Sequence, residues 1–220
     1  MLTLEFHFDL ICPWCLIAKQ HLRRALQQLA LEHPGLPVRV EWRAVQLLPH
    51  VPPQGLPYAE FYHQRLGSAP AVARRKAQVR EAAAEAGVAL NLEGIPLLPS
   101  TTAALHLLHH AAVHASPLQQ ERLIDWLFAA YFERGQNLGD EAVLQAGAAA
   151  CGLTGASAWP GVQATEDWAL PNPAPLGTMV PMVVFNNRQA LIGMQTAPAL
   201  LAAMRQALQL PLRPLAACRP

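Results

Sequence analysis

The sequence predicts an α/β fold in which both ends of the chain complete one small mixed sheet and a block of helices interrupts it. Three observations carry this expectation. The first 45 residues read strand, helix, strand; residues 58 to about 155 are rich in alanine and leucine at helical spacing; and strand signals return near residue 180, ahead of one last helix.

Leu2, Leu4, Phe6 and Phe8 alternate with Thr3, Glu5, His7 and Asp9, the two-residue period of a strand. That run leads into Cys12-Pro13, and proline in a first helical turn sacrifices no hydrogen bond. A helix is therefore predicted over 14–31, where Leu16, Ile17, Leu22, Leu26 and Leu29 recur at helical spacing until His33-Pro34-Gly35 ends it. Val38, Val40 and Trp42 alternate with Arg39, Glu41 and Arg43, so a second strand follows, and a connection of this length makes the pair a parallel βαβ unit. Pro49, Pro52, Pro53 and Pro57, with Gly55, then break regular structure. Helices are predicted over 59–67, 70–86, 101–115, 117–134 and 140–151, with joints at Ser116-Pro117 and Gly139-Asp140. Residues 152–176 read as mixed helix and loop. Val180 and Met182 to Phe185 signal a strand, Asn186-Asn187 a turn, and 188–192 the second strand of a hairpin. Thr196 can cap a last helix running to about Gln209. The expected division is residues 1–57 and 171–220 in the sheet domain, with a helical insertion over 58–170.

Composition narrows the function classes. Hydrophobic residues make up 52% of the 220 and charged residues 14%, which provides for a sizeable core. Sixteen basic residues against fifteen acidic leave a net charge of +1, no footprint for nucleic acid or an anionic membrane. Arg74-Arg75-Lys76 is read as a solvated helix face. No run of 18 apolar residues is present to span a bilayer, and MLTLEFHFD lacks the pattern of a secretory leader, so the expected location is the cytoplasm. Four cysteines are too few for a disulfide-stapled scaffold. In a reducing compartment a close pair is expected to be catalytic, redox-active or metal-bound.

Cys12 and Cys15, in the stretch FDLICPWCLIAK, are that pair. Disulfide exchange needs a thiolate, and the strand-to-helix junction puts Cys12 where unpaired N–H groups and the helix dipole favour negative charge. Cys15 lies one turn deeper, in reach of closing a disulfide. Zinc would want four ligands, and no second pair follows at a suitable spacing. A second device is Val180-Pro181 at the start of the third strand. Proline cannot donate to a sheet ladder, and a cis peptide bond is one reason for it to stand there. Opposite the cysteines, it would leave the preceding backbone free to pair with an extended substrate.

The chain thereby resembles the DsbA-type branch of the thioredoxin fold, and within it the FrnE-like members. The resemblance covers nearly the whole length. Its marks are Asp9 ahead of Cys12-Pro13-Trp14-Cys15, then Ile17 and Lys19, QLLP at 46–49, LFAAYFERGQNLGDEAVL at 127–144, Val180-Pro181 with Phe185, and IGMQ at 192–195. Leu16, Ala18, Met179, Met182, Ser100-Thr101 and Leu105 depart from the family pattern. Hydroxychromene-carboxylate isomerases and kappa-type glutathione transferases are similar in architecture but usually carry serine where Cys12 stands.

What the resemblance implies is a thioredoxin fold (βαβ…ββα) interrupted by an all-helical insertion, and a thiol–disulfide oxidoreductase. Cys12 attacks, Cys15 resolves, Pro181 with Val180 shapes the substrate groove, and Pro13 and Trp14 tune the redox poise. Asp9, His7 and Glu5 share one face of the first strand, and one of them, Asp9 before the others, is a candidate to move a proton to or from Cys15. The expected partner is a protein, peptide or small molecule bearing a disulfide or thiol, with glutathione as a candidate electron partner. Neither a metal nor an organic cofactor is required, and both monomer and homodimer stay open. Two other readings remain: a glutathione-dependent isomerase or transferase, and a peptide-binding, chaperone-like module.

The remaining conspicuous residues have plainer expectations. His106, His110 and His114 form a helix stripe expected to face solvent. Cys151 is expected to be a small buried hydrophobe and Cys218 an exposed thiol. Trp126, Phe128, Tyr131 and Phe132 are expected in the insertion core, with their neighbours lining any groove that faces Trp14.

Overall fold

A computed structural model describes residues 1–155, 158–161 and 179–209. Strand β1 (Leu2–Phe8), helix α1 (Pro13–Glu32) and strand β2 (Val38–Ala44) form the first unit, with β1 and β2 parallel and Leu2 opposite Val38. β1 buries Leu2, Leu4, Phe6 and Phe8 on one face, the alternation read from the sequence. Helices α2 (Tyr58–Leu66), α3 (Ala69–Ala86), α4 (Thr102–His114), α5 (Pro117–Phe132) and α6 (Glu141–Ala150) follow. Two two-residue strands, β3 (Leu56–Pro57) and β4 (Leu97–Leu98), pair antiparallel between them. The sequence predicts neither strand: the prolines of 49–57 mark a break in regular structure, and 97–98 carry no period. Pro57 is compatible with so short a pairing because it stands at the strand's end.

The chain then returns as β5 (Met182–Phe185), β6 (Gln189–Ile192) and α7 (Ala197–Gln209). β5 runs antiparallel to β1, β6 antiparallel to β5, and the sheet order is β2-β1-β5-β6. This is a thioredoxin fold interrupted by helices. Asn186 and Asn187, with left-handed φ of 49° and 55°, are the two central residues of the turn that the Arg188 amide closes on the Phe185 carbonyl at 2.9 Å. Asn186 is buried and does more than turn. Its side-chain oxygen accepts from the Thr3 amide at 3.0 Å and its side-chain nitrogen donates to the Ala207 carbonyl at 3.0 Å, tying β1, the hairpin and α7 together.

α1 packs beside α7 and meets α3 on another side. Arg24 of α1 donates to the last carbonyls of α3, Glu85 and Ala86, satisfying acceptors a helix end leaves open. Lys19 and Arg23 of α1 reach Asp125 of α5 at 2.6 Å each. Phe8 of β1 touches Phe128 of α5, ring centres 5.9 Å apart, and one continuous apolar cluster runs from β1 through α1 into α4, α5 and α6. Phe128, Tyr131 and Phe132 are buried in it. The expected domain boundary at 170/171 and Cys218 lie outside the described residues, as does most of 152–176. Cys151 is buried and unpaired. On α4, His109 and His114 are exposed, while His106 and His110, expected to face solvent, are half-buried. The inner face is Ala104, Leu105, Leu107, Leu108 and Ala111. No helix of the described residues is long and apolar enough to cross a membrane.

Candidate active site

β1 ends at Phe8, and Asp9 to Ile11 make a turn in which the Asp9 carbonyl accepts from the Cys12 amide at 3.2 Å. Cys12 is the N-cap of α1, with extended backbone (φ −93°, ψ 108°), and Pro13 opens the helix. The N-cap makes no side-chain capping bond, so the sulfur is not committed to the helix. The helix is 20 residues long, and its positive dipole end favours negative charge at Cys12. The Cys15 amide donates to the Cys12 carbonyl at 3.0 Å, bringing the second thiol one turn below the first. Both thiols are free. Cys12 is 6% exposed and Cys15 not at all. Burial pushes the Cys15 thiol well above its ordinary range, and its proton is held further by donation to the Cys12 sulfur.

Asp9 is wholly buried. Its carboxylate accepts from the Leu47 amide at 2.7 Å, and more weakly from the Ile11 amide and the Thr101 hydroxyl, each at 3.5 Å. Burial outweighs these bonds and pushes its pKa up to about 6. A negative Asp9 in turn raises the Cys15 pKa further, which places the two groups in one electrostatic field. The other polar residues on that strand face part company with it: His7 bonds Glu5 at 3.2 Å, and burial lowers the His7 pKa.

The Val180–Pro181 peptide is cis. Met182 pairs with His7 across the sheet, so Val180 and Pro181 come to the end of the sheet where β1 leads into Cys12. Pro181 is itself anchored, its carbonyl accepting from the Gly193 amide at 2.8 Å. Met179 is 46% exposed. Met182 is wholly buried against Val45, Val180 and Val184, so it fills core space and presents no surface to a groove.

Beside Cys12 opens a pocket of about 310 Å³ lined by Ile11 to Trp14, Leu47 and Leu48, and one face each of α2 and α3. The α2 face is Tyr58, Phe61, Tyr62, Arg65 and Leu66; the α3 face is Val72, Arg75, Lys76 and Val79. Arg75 lies over the Trp14 ring at 4.9 Å and Lys76 over Tyr58 at 5.6 Å. Two expectations are corrected here. The wall facing Trp14 comes from α2 and α3, with no residue of α5 in the lining. Arg75 and Lys76 are not merely a solvated helix face, because Trp14 and Tyr58 draw them over the pocket. The signal for both walls was present in the sequence: residues 58, 61, 62 and 65, and 72, 75, 76 and 79, stand at the spacing that shares a helix face. Leu47 and Thr101, the partners of Asp9, carried no such signal, since a backbone amide and a lone threonine are common everywhere.

Comparison with known proteins bears on the family and the fold. The model of the DSBA-like thioredoxin domain matches residues 3–166. The uncharacterized protein YwbO of Bacillus subtilis (strain 168) is 26% identical over 154 residues, covering 70% of this chain and 68% of its own. The crystal structure of a probable DsbA oxidoreductase, SCO1869 from Streptomyces coelicolor, superposes with a TM-score of 0.75 at 25% identity, covering 100% of this chain and 97% of that one. A 2-hydroxychromene-2-carboxylate isomerase shares the fold with a TM-score of 0.56 at 14% identity, covering 94% and 96%. With a DSBA-like match across most of its length and paired thiols at the first strand–helix junction, this chain belongs to the DSBA-like thioredoxin domain family.

Proposed function

We propose that the protein is a cytoplasmic thiol–disulfide oxidoreductase in which Cys12 exchanges with the disulfide of a protein, a peptide or a small molecule. The observation that carries this reading is the asymmetry of the pair: Cys12 at the N-cap of α1 with a little exposed surface, and Cys15 sealed one turn below it beside a buried Asp9.

In the reducing direction the Cys12 thiolate attacks one sulfur of the substrate disulfide. A bond forms from Cys12 to that sulfur, the substrate S–S bond breaks, and the other half leaves as a thiolate that takes a proton from water. Cys15 then gives its proton to the Asp9 carboxylate and attacks the Cys12 sulfur, which releases the second half and closes the Cys12–Cys15 disulfide. Two electrons pass to the substrate. The oxidising direction runs the same steps backwards, and a thiol such as glutathione serves as the electron partner. No step draws on a metal or an organic cofactor. Asp9 suits its part because a carboxyl held near pKa 6 can take and return a proton around neutral pH. Val180 and Pro181, at the same end of the sheet, form the substrate edge. Pro13 and Trp14 set the poise: whatever favours the reduced pair makes the disulfide more oxidising.

Reduction of insulin and of a small disulfide tests the reading, with the parent, Cys12→Ser and Cys15→Ser. Loss of reduction in both variants, with a stable mixed disulfide on Cys12 in Cys15→Ser, is expected. Glutathione-dependent isomerisation that survives Cys15→Ser, or holdase activity alone that neither change affects, would overturn it.

A further inference from the structure

The pocket beside Cys12 has a charge pattern at odds with the rest of the chain. The whole protein carries a net charge of +1, yet the charged residues of this lining are all basic: Arg65, Arg75 and Lys76. Among the described residues no carboxylate pairs with Arg65 or Arg75, and Lys76 meets Glu93 at 3.5 Å. Glu93 is itself shared with Arg80. The three cations are held in one arrangement: Arg65 lies over Phe61 at 5.8 Å, Arg75 over Trp14 and Lys76 over Tyr58. Such contacts hold a cation against a ring without spending its N–H donors on a carboxylate. Between them the lining is aromatic and aliphatic, and Cys12 belongs to it.

We propose that this pocket takes a low-molecular-weight disulfide whose halves carry carboxylates on an apolar body, and that Arg65, Arg75 and Lys76 select it by charge. The inference rests on the reading that Cys12 exchanges with disulfides and names the substrate class. Size supports a small molecule: a recess of about 310 Å³ is at the lower end of the range that encloses one. Cys12, with 6% of its surface open, is best reached by a disulfide that enters the recess. The apolar body sits against Phe61, Val72 and Val79, the carboxylates meet the guanidinium and ammonium groups, and one sulfur faces Cys12. In this exchange Cys12 bonds to one half, the other half departs as its thiolate, and Cys15 completes the two-electron reduction. The same cations attract the departing anionic thiolate.

The test uses the full-length reduced protein and four disulfides: dithiobis(nitrobenzoate), which is anionic and aromatic; dithiodipyridine, aromatic and neutral; cystamine, cationic; and a peptide disulfide with acidic flanks. Each second-order rate is divided by that of the same probe with free dithiothreitol, which removes differences in leaving group. The anionic aromatic probe is expected to have the largest normalised rate and cystamine the smallest. The ratio of anionic to neutral probe should fall about 3- to 10-fold in Arg75→Gln and in Arg65→Gln, return in Arg75→Lys, and fall with added salt. Using the ratio cancels any change in the thiolate itself. Arg39→Gln, on β2 opposite Thr3 and so at the far end of the sheet from Cys12, should leave the ratio where it was. Equal normalised rates across the probes, with Cys12 active, overturn the inference and leave thiol exchange standing. A normalised rate for the acidic peptide above that of the small anionic probe also overturns it, in favour of a polypeptide occupant. No reduction of any probe by the parent overturns the inference together with the function it rests on.

Discussion

Asp9, fully buried, takes its shortest hydrogen bond from the backbone amide of Leu47, at 2.7 Å. The bond ties the turn that ends in Cys12 to the connection that leaves β2, so the carboxylate braces both lips of the site. It also leaves a charge in the interior that burial penalises.

Stability should therefore depend on pH through Asp9. Its folded-state pKa of about 6 lies above the ordinary 3.8, so the folded protein holds the proton longer than the unfolded chain. This contribution is fully present below about pH 4, is lost as pH rises through about 6, and is flat above. The displacement corresponds to about 3 kcal/mol. Asp9→Asn removes the charge, but its NH2 group cannot accept from a second backbone N–H, so about 1–2 kcal/mol of net stabilisation is expected at about pH 8. Urea unfolding at about pH 8 and about pH 4 measures it, and the gain should vanish in acid.

The same substitution should slow the resolving step. Without a proton acceptor beside Cys15, release of the second substrate half is expected to fall about 10- to 100-fold. The rate of that release against pH should lose the limb that reports Asp9 near 6. Alkylation of Cys12 by iodoacetamide, which needs no resolving thiol, should change much less. Equal slowing of both steps would assign Asp9 a purely structural part.

Lys19 is 3% exposed, with Asp125 at 2.6 Å and the Trp42 ring at 5.0 Å from its ammonium. Burial lowers its pKa while Asp125 works against that shift. Removing the Asp125 carboxylate leaves a buried cation to the more distant Glu121, at 3.5 Å, whereas removing the cation leaves a carboxylate that is 41% exposed and still meets Arg23. Asp125→Asn should accordingly cost about 1–2 kcal/mol, the exposed partner reducing the full cost of a broken buried pair. Lys19→Met should cost less, because its chain keeps the contact with Trp42. Thermal unfolding of the two variants decides the order.

Phe128 joins the insertion to the sheet through Phe8. Phe128→Ala should cost about 3–5 kcal/mol. Because the apolar cluster is continuous across that contact, the sheet and the helices are expected to unfold together. Circular dichroism and tryptophan fluorescence followed in one urea titration should show coincident transitions, with the midpoint lowered.

The elements of the sheet were legible because each announces itself locally. Leu2 to Phe8 alternate, Cys12-Pro13 marks a helix start, and Asn186-Asn187 marks a hairpin turn whose left-handed backbone those residues tolerate. The cysteine pair and Val180-Pro181 were legible for the same reason, as chemistry confined to two or four adjacent positions. Leu56–Pro57 and Leu97–Leu98 were not, since two residues cannot display a period and their pairing joins positions far apart in the chain.

By itself, then, the sequence determined the order of elements and the placing of two thiols at the head of α1. Only the tertiary structure decided what surrounds them. Met182 turns inward because β5 is packed against Val45, a neighbour no local pattern names. Arg75 and Lys76 turn toward the thiols because Trp14 and Tyr58 give their cations a face to lie on. Asp9 acquires its raised pKa because the chain that follows β2 and the start of α4 close over it. Local periodicity fixes which residues share a face. The burial, charge and proton affinity of that face depend on groups brought from elsewhere by packing.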